Sequence, residues 1–297
     1  MRNRYSLALS LILGSALLVA PLIAQAGGTI KGKVTFSGKV PPFKSTGSAN
    51  KVFDIGKFPN SVFCSKNAKA RNIKIVPDEE KGKGAKKATG ERLVPGIEVD
   101  KNKGLKSVVV AVRSINDKDW VKKGYKRTEV FAKLCEFHPF TGVAVNRKSK
   151  SFYVENTDND PMLPAGKNGV LHNPVTKAML GVKQQPIFNI ALPSKGKSLF
   201  KKINKRPLRI PKKINRKKPV GFVRLQCDQH EFMQNYFLVV NNPFYAKVND
   251  EGMFEIKDVP GGKHTVLAWH PLAGNVYADV EVKDGETVEV NFDMKKK

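Results

Sequence analysis

The chain has 297 residues, 40% apolar and 27% charged, which is the balance of a folded globular protein, and its 24 glycines and 18 prolines are too few for a collagen-like or low-complexity chain. Lys and Arg outnumber Asp and Glu by 53 to 26, a net charge of +27. Five histidines and three cysteines, with no C-x-x-C, C-x-x-C-H or H-E-x-x-H, exclude the larger zinc and haem arrangements.

Residues 1–26 read as a signal peptide: Arg2 and Arg4, an apolar run from Leu7 to Ile23, then the small-x-small step Ala24-Gln25-Ala26. An uncleaved anchor is the alternative. Cleavage removes two charges and leaves +25. No later run approaches the ~18–20 apolar residues of a spanning helix, so the mature chain is expected in the periplasm or secreted, without a stable membrane span. Disulfides persist there, and an odd cysteine count needs a reason.

Period-two runs of Val, Ile, Phe and Tyr between turn residues predict strands at Thr29–Phe36, Ser107–Ser114, Gly142–Asn146, Ser151–Asn156, Pro186–Leu192, Gly221–Cys227 and Tyr236–Asn241. A second group follows at Tyr245–Val248, Met253–Ile256, His264–Trp269, Val276–Val282 and Thr287–Phe292. The fold class is all-β, a sandwich or a pair of them. Pro77–Lys106, rich in Lys, Gly and Glu, reads as a long solvated loop. Lys195–Lys218 holds twelve basic residues and no acid, and reads as a basic insertion that only partly packs.

The segment Cys227-Asp228-Gln229-His230-Glu231-Phe232-Met233 follows one predicted strand and precedes another, so a thiolate, an imidazole and a thioether share a tight loop. That soft set selects copper, and a blue-copper site adds a second imidazole from elsewhere in the sandwich. The spacing Cys-x2-His-x2-Met resembles the ligand loop of the amicyanin and pseudoazurin cupredoxins. In that family the other histidine follows a strand in a His-Asn step, which here matches Leu171-His172-Asn173 after "ENTDNDP". The resemblance therefore implies one type 1 copper ion held by His172, Cys227, His230 and Met233, with Asn173 bracing the loop through hydrogen bonds. It implies electron exchange through the ligand edge nearest the surface, taken as His230. His138 is the rival for the second imidazole, and Cys135-x-x-His138 the rival metal pair. Cys64 and Cys135 most simply form a disulfide that leaves Cys227 free, although three cysteines allow three single bridges.

The run "NDEGMFEIKDVPGGKHTVLAWH" resembles the carboxypeptidase-regulatory-like, transthyretin-like β-modules, which are usually non-catalytic. His264 and His270 within it read as structural or surface histidines. Together the resemblances imply a cupredoxin-like Greek-key β-sandwich over 27–241, with insertions at 77–106 and 195–218, and a small β-sandwich-like module over 242–297. The whole is similar to plastocyanin-like proteins that fuse these two parts.

A surface at +25 attracts anions over about a Debye length, roughly 10 Å at 0.1 M salt. No nucleic-acid motif is present. The expected partners are an acidic redox protein such as a c-type cytochrome, or an anionic envelope surface. Lys201, Lys202, Lys205, Arg206, Arg209, Lys212, Lys213, Arg216, Lys217 and Lys218 are the expected docking residues. The leading expectation is a periplasmic type 1 copper protein in one-electron transfer. The alternatives are a Cu(I) carrier or buffer, and a basic interaction protein on envelope polymers. Enzyme readings are weak: a multicopper oxidase needs more imidazoles than five, and no nucleophile–base spacing stands out.

Overall fold

Among the described residues twenty short strands carry almost all of the regular structure, and side-chain alternation along them explains how they stack. The structure is a computed structural model that describes residues 27–67, 69–161, 168–203, 205–211 and 213–295. The expected signal peptide at 1–26 and Lys212 lie outside the described residues. No helix among the described residues is long and apolar enough to cross a membrane.

Two sheets enclose the first core. One orders the strands Lys183–Asn189, Pro174–Leu180, Phe222–Cys227, Gln234–Val239 and Thr141–Ala144; the other orders Ser198–Ile203, Arg147–Asn156, Arg127–Lys133 and Glu136–His138. Val223, Leu225 and Cys227 turn to one face of their strand, as period two requires, and pack with Phe237, Val239, Phe152 and Val154. The Phe152 and Phe237 rings meet edge to face at 4.9 Å. This is a β-sandwich, and its end at Cys227 is where the candidate ligands gather.

A second pair of sheets encloses the second core. Gly28–Phe36 lies between Met253–Val259 and the parallel strands Thr287–Glu289 and Phe292–Met294. Val109–Val112 lies between Tyr245–Lys247 and Gly262–His270, which also pairs with Gly274–Val282. The sheets thus do not divide at residue 242. The C-terminal strands take Gly28–Phe36 and Val109–Val112 as partners, and Ile30, Val34, Val110 and Val112 share a core with Phe254, Ile256 and Val266. A module of 242–297 alone would lack these central strands.

A third core joins the two sandwiches. Val109 and Ala111, on the other face of their strand, meet Leu267, Trp269, Tyr236 and Leu238. Strands buried on both faces read as continuous apolar runs, as "SVVVAV" and "YFLVV" do here.

Pro77–Lys106 is not a solvated loop. It contains the strand Lys86–Val94, which is the centre of a three-stranded sheet with Lys51–Asp54 and Ala70–Pro77. Its Ile97 and Leu105 are buried, as is Arg92, 1% exposed. Charge density hid a spaced apolar set whose lysines and glutamates face outward. The described residues of Lys195–Lys218 include the edge strand Ser198–Ile203 and a 3-10 turn at Arg206–Leu208, with Leu199, Ile203 and Leu208 buried. Lys201 and Lys202 are exposed on that edge strand, where lysine discourages pairing with another chain.

His270 is a buried structural residue. Its Nδ1 accepts the N–H groups of Leu272 (3.1 Å) and Ala273 (3.0 Å) and closes the turn to the next strand. Burial pushes its pKa down from 6.5 to about 3. The unfolded chain therefore binds a proton below pH ~6.5 that the native state refuses, and stability falls on acidification. The expected loss is on the order of 3 kcal/mol by pH ~4.5. Urea unfolding at pH 7 and 4.5 checks this: His270→Gln should shrink the pH-dependent loss, and an equal loss in both proteins contradicts it.

Candidate metal centre

Cys227 ends its strand opposite Pro174 in the antiparallel ladder with Pro174–Leu180, so the residue just upstream of that neighbour, Asn173, and His172 before it lie beside the thiol. The hairpin loop 228–233 then folds back: Cys227 N–H donates to the Met233 carbonyl (3.1 Å), and Met233 N–H to the His230 carbonyl (2.9 Å). Six residues suffice to bring His230 over the sulfur. His172 Nδ1 lies 3.9 Å from Cys227 Sγ and His230 Nδ1 lies 3.7 Å from it, with all three donor atoms within 4.8 Å of one another. Cys227, His172 and His230 are each 0% exposed and Met233 is 1% exposed.

The distal nitrogens decide which ring atoms are free. His172 Nε2 lies 2.8 Å from Asp158 Oδ2, and His230 Nε2 lies 3.1 Å from the Pro59 carbonyl. A carboxylate and a carbonyl only accept, so both rings hold a proton on Nε2 and turn Nδ1 toward the sulfur. Bonds of ~2.3 Å to sulfur and ~2.1 Å to nitrogen, ~120° apart, separate such atoms by about 3.8 Å. The donor set and its spacing fit one soft metal ion.

Further partners hold this arrangement. Asn173 N–H donates to Cys227 Sγ (3.3 Å), and its carbonyl accepts from Asp228 N–H (2.9 Å). The brace expected of Asn173 thus comes from its backbone, since its buried side-chain oxygen has no partner among the described residues. Asn156 donates to the carbonyls of Val170 (2.7 Å) and Leu192 (2.9 Å) and accepts from Asp158 N–H, which fixes the loop carrying His172. Asp158 is a site residue that the sequence motifs do not single out. Besides His172 it receives Leu134 N–H (2.5 Å) and Cys135 N–H (2.9 Å) across a turn in which both residues have positive φ. Burial alone would raise the Asp158 carboxyl, but the bonds from His172 and those two amides outweigh it and hold it below its ordinary value.

A lid covers the centre. Cys64 and Cys135 are joined by a disulfide, and Cys64 Sγ lies 3.6 Å from His230 Nε2. Arg92 donates to the carbonyls of Cys64 (2.6 Å) and Cys135 (3.2 Å) and pairs with Glu136 (3.0 Å). Its guanidinium lies 4.7 Å from the Phe232 ring centroid, and Phe232 packs edge-on against Phe53 and Phe58. His230 is therefore enclosed and does not form the surface edge expected of it. A cleft of about 140 Å³ is lined by Met233, Phe232 and His138. His138 is exposed beside Glu136 and outside the ligand group, and Cys135 is spent in the disulfide, so the rival metal pair does not form.

Burial pushes the Cys227 thiol up, opposed by the N–H groups of Asn173, Gln229 and His230. Burial likewise pushes His230 down to about 4, helped by His172. Near pH 7 the metal-free centre is one thiol beside a neutral His230 imidazole.

The expected docking residues separate. Lys201 and Lys202 sit on the edge strand, while Arg209, Lys213, Arg216, Lys217 and Lys218 surround a cavity reached by Gly221. Lys205 is half-buried and Arg206 exposed. Gly221 is six residues before Cys227 along an extended segment, about 20 Å away.

No family model and no curated protein matches the chain. Among solved structures it is similar to a Cu-containing nitrite reductase (NirK) from Thermus scotoductus SA-01, at 15% identity and a TM-score of 0.26, over 39% of this chain and 23% of that one. It is also similar to the minor pilin GBS52 of Streptococcus agalactiae, at 8% identity and a TM-score of 0.15, over 91% of this chain and 96% of that one. The chain spans about a quarter of the nitrite reductase.

Proposed function

We propose that this chain is a non-enzymatic, extracytoplasmic copper protein that exchanges single electrons, with Cys227, His172 and His230 as principal ligands and Met233 in the axial role. The observation that carries the reading is the pair of Nδ1 atoms held beside one buried free cysteine. Copper held there would supply one-electron exchange between Cu(II) and Cu(I). The protein's part is to keep both rings in one tautomer, exclude water, and hold the ligands against rearrangement. A carrier that passes Cu(I) onward needs ligands a recipient can reach, and these are closed behind Pro59–Cys64, which favours electron exchange.

In this reading the Met233 cleft is the electron port, and an acidic redox protein such as a c-type cytochrome is the partner class that the net charge favours.

Cys227 must give up its proton to bind a metal, whereas His230, pushed down to about 4 by burial, is already proton-free at Nδ1 near pH 7. Titrating the metal-free protein with Cu(II) at pH 7 in weak buffer should saturate at one equivalent and release about one proton. Saturation with no proton release, or no saturation, contradicts the ligand set. Asp158→Ala frees His172 Nε2 and leaves the amides of Leu134 and Cys135 unpaired. The expected result is ten- to hundredfold weaker copper binding in competition with a chelator; an unchanged affinity removes Asp158 from the centre.

A further inference from the structure

A cavity lies at the far end of the strand that carries Cys227. The cavity there has a volume of about 720 Å³, inside the ~300–1,000 Å³ range of small-molecule sites. Leu180, Leu208, Ile210, Ile214 and Val220 give it an apolar wall, and no Asp or Glu lines it among the described residues.

Its polar end is Arg113, one residue past the strand Val109–Val112. The Arg113 guanidinium donates to the Val239 carbonyl (2.7 Å), and it makes no ion pair with a carboxylate among the described residues. Burial depresses its pKa, with Tyr277 as the neighbour acting the other way. Arg216 across the mouth differs, since it is paired with Asp279 and lies 5.8 Å from the Tyr277 ring. Arg113 is half-buried with no carboxylate partner among the described residues, so an anionic head could pair with it while the aliphatic wall beside it covers the rest of the molecule.

We propose that this cavity binds an anionic amphiphile, an aliphatic chain whose carboxylate or phosphate head pairs with Arg113. The exposed Lys213, Lys217 and Lys218 at the rim raise the local concentration of such anions. This site is independent of the metal centre, so either can fail alone.

Isothermal titration of the full mature protein in 0.15 M salt tests it, with dodecanoate, dodecyl phosphate, dodecanol and acetate as probes. One equivalent of dodecanoate or dodecyl phosphate should bind saturably, with the tighter of the two naming the head group. Dodecanol should bind at least tenfold more weakly and acetate not measurably. Arg113→Gln should weaken the anionic probes tenfold or more and leave dodecanol unchanged. Ile214→Glu, on the half-buried wall, should weaken the anionic probes equally without touching the Val239 contact, with circular dichroism confirming the fold. Equal binding of dodecanoate and dodecanol, no saturable binding of either anion, or insensitivity to both substitutions overturns the proposal.

Discussion

Cys227→Ser is expected to bind copper without the intense visible absorption of a thiolate–copper bond, and with an electron paramagnetic spectrum of ordinary Cu(II) in place of the narrow splitting of a type 1 ion. Serine is nearly isosteric, and the inward position it would take beside Val223 and Leu225 is unchanged, so the fold should survive. What disappears is the soft, ionisable donor that the two Nδ1 atoms face. Wild-type protein that binds copper yet shows no such absorption would remove Cys227 from the ligand set. Absorption that persisted in Cys227→Ser would do the same.

The second large effect is expected at the lid. The Cys64–Cys135 bond spans 71 residues of sequence, and a loop of that length makes its removal worth about 4 kcal/mol in the chain-entropy account. Cys64→Ser with Cys135→Ser should therefore lower the unfolding free energy by that order in metal-free protein. The same change should let a Cu(I) chelator strip the loaded protein at least tenfold faster, because Pro59–Cys64 would no longer be tied over His230. The Arg92 contacts to both half-cystine carbonyls remain as a check on the cause. If chelator access is unchanged while stability falls, the disulfide is a staple only and the lid moves by another route.

The two experiments probe different links of one chain of cause. A hairpin loop of six residues sets the thiol and one imidazole; a ladder neighbour sets the other; and a cross-linked segment distant in sequence closes the enclosure.

That difference in range explains what the sequence could disclose. Cys227, His230 and Met233 are legible because their spacing and the strands on either side are local. His172 is legible only by family resemblance, since nothing in its own neighbourhood distinguishes it from His138. Asp158 stands hidden among Asn156, Asn159 and Asp160; the available signal is its place two residues beyond the strand Arg147–Asn156, just ahead of the histidine loop. The lid is not legible at all, because contact between Pro59 and His230 is set by tertiary packing. The same holds for the fold: the strands of the C-terminal part are readable from alternation, whereas the parallel pairing of Gly28–Phe36 with Thr287–Glu289 and Phe292–Met294 leaves no local trace. Arg92 is concealed by a charge-rich stretch that reads as solvated until its partners, two carbonyls and Glu136, are known.

Anomalous diffraction at the copper edge from crystals of the copper-loaded protein addresses the ligand set without relying on colour. One peak is expected, enclosed by Cys227 Sγ, His172 Nδ1 and His230 Nδ1, with Asp158 and the Pro59 carbonyl still bonded to the two Nε2 atoms. A peak at the exposed His138, or none in protein that holds one equivalent of copper in solution, would contradict the assignment.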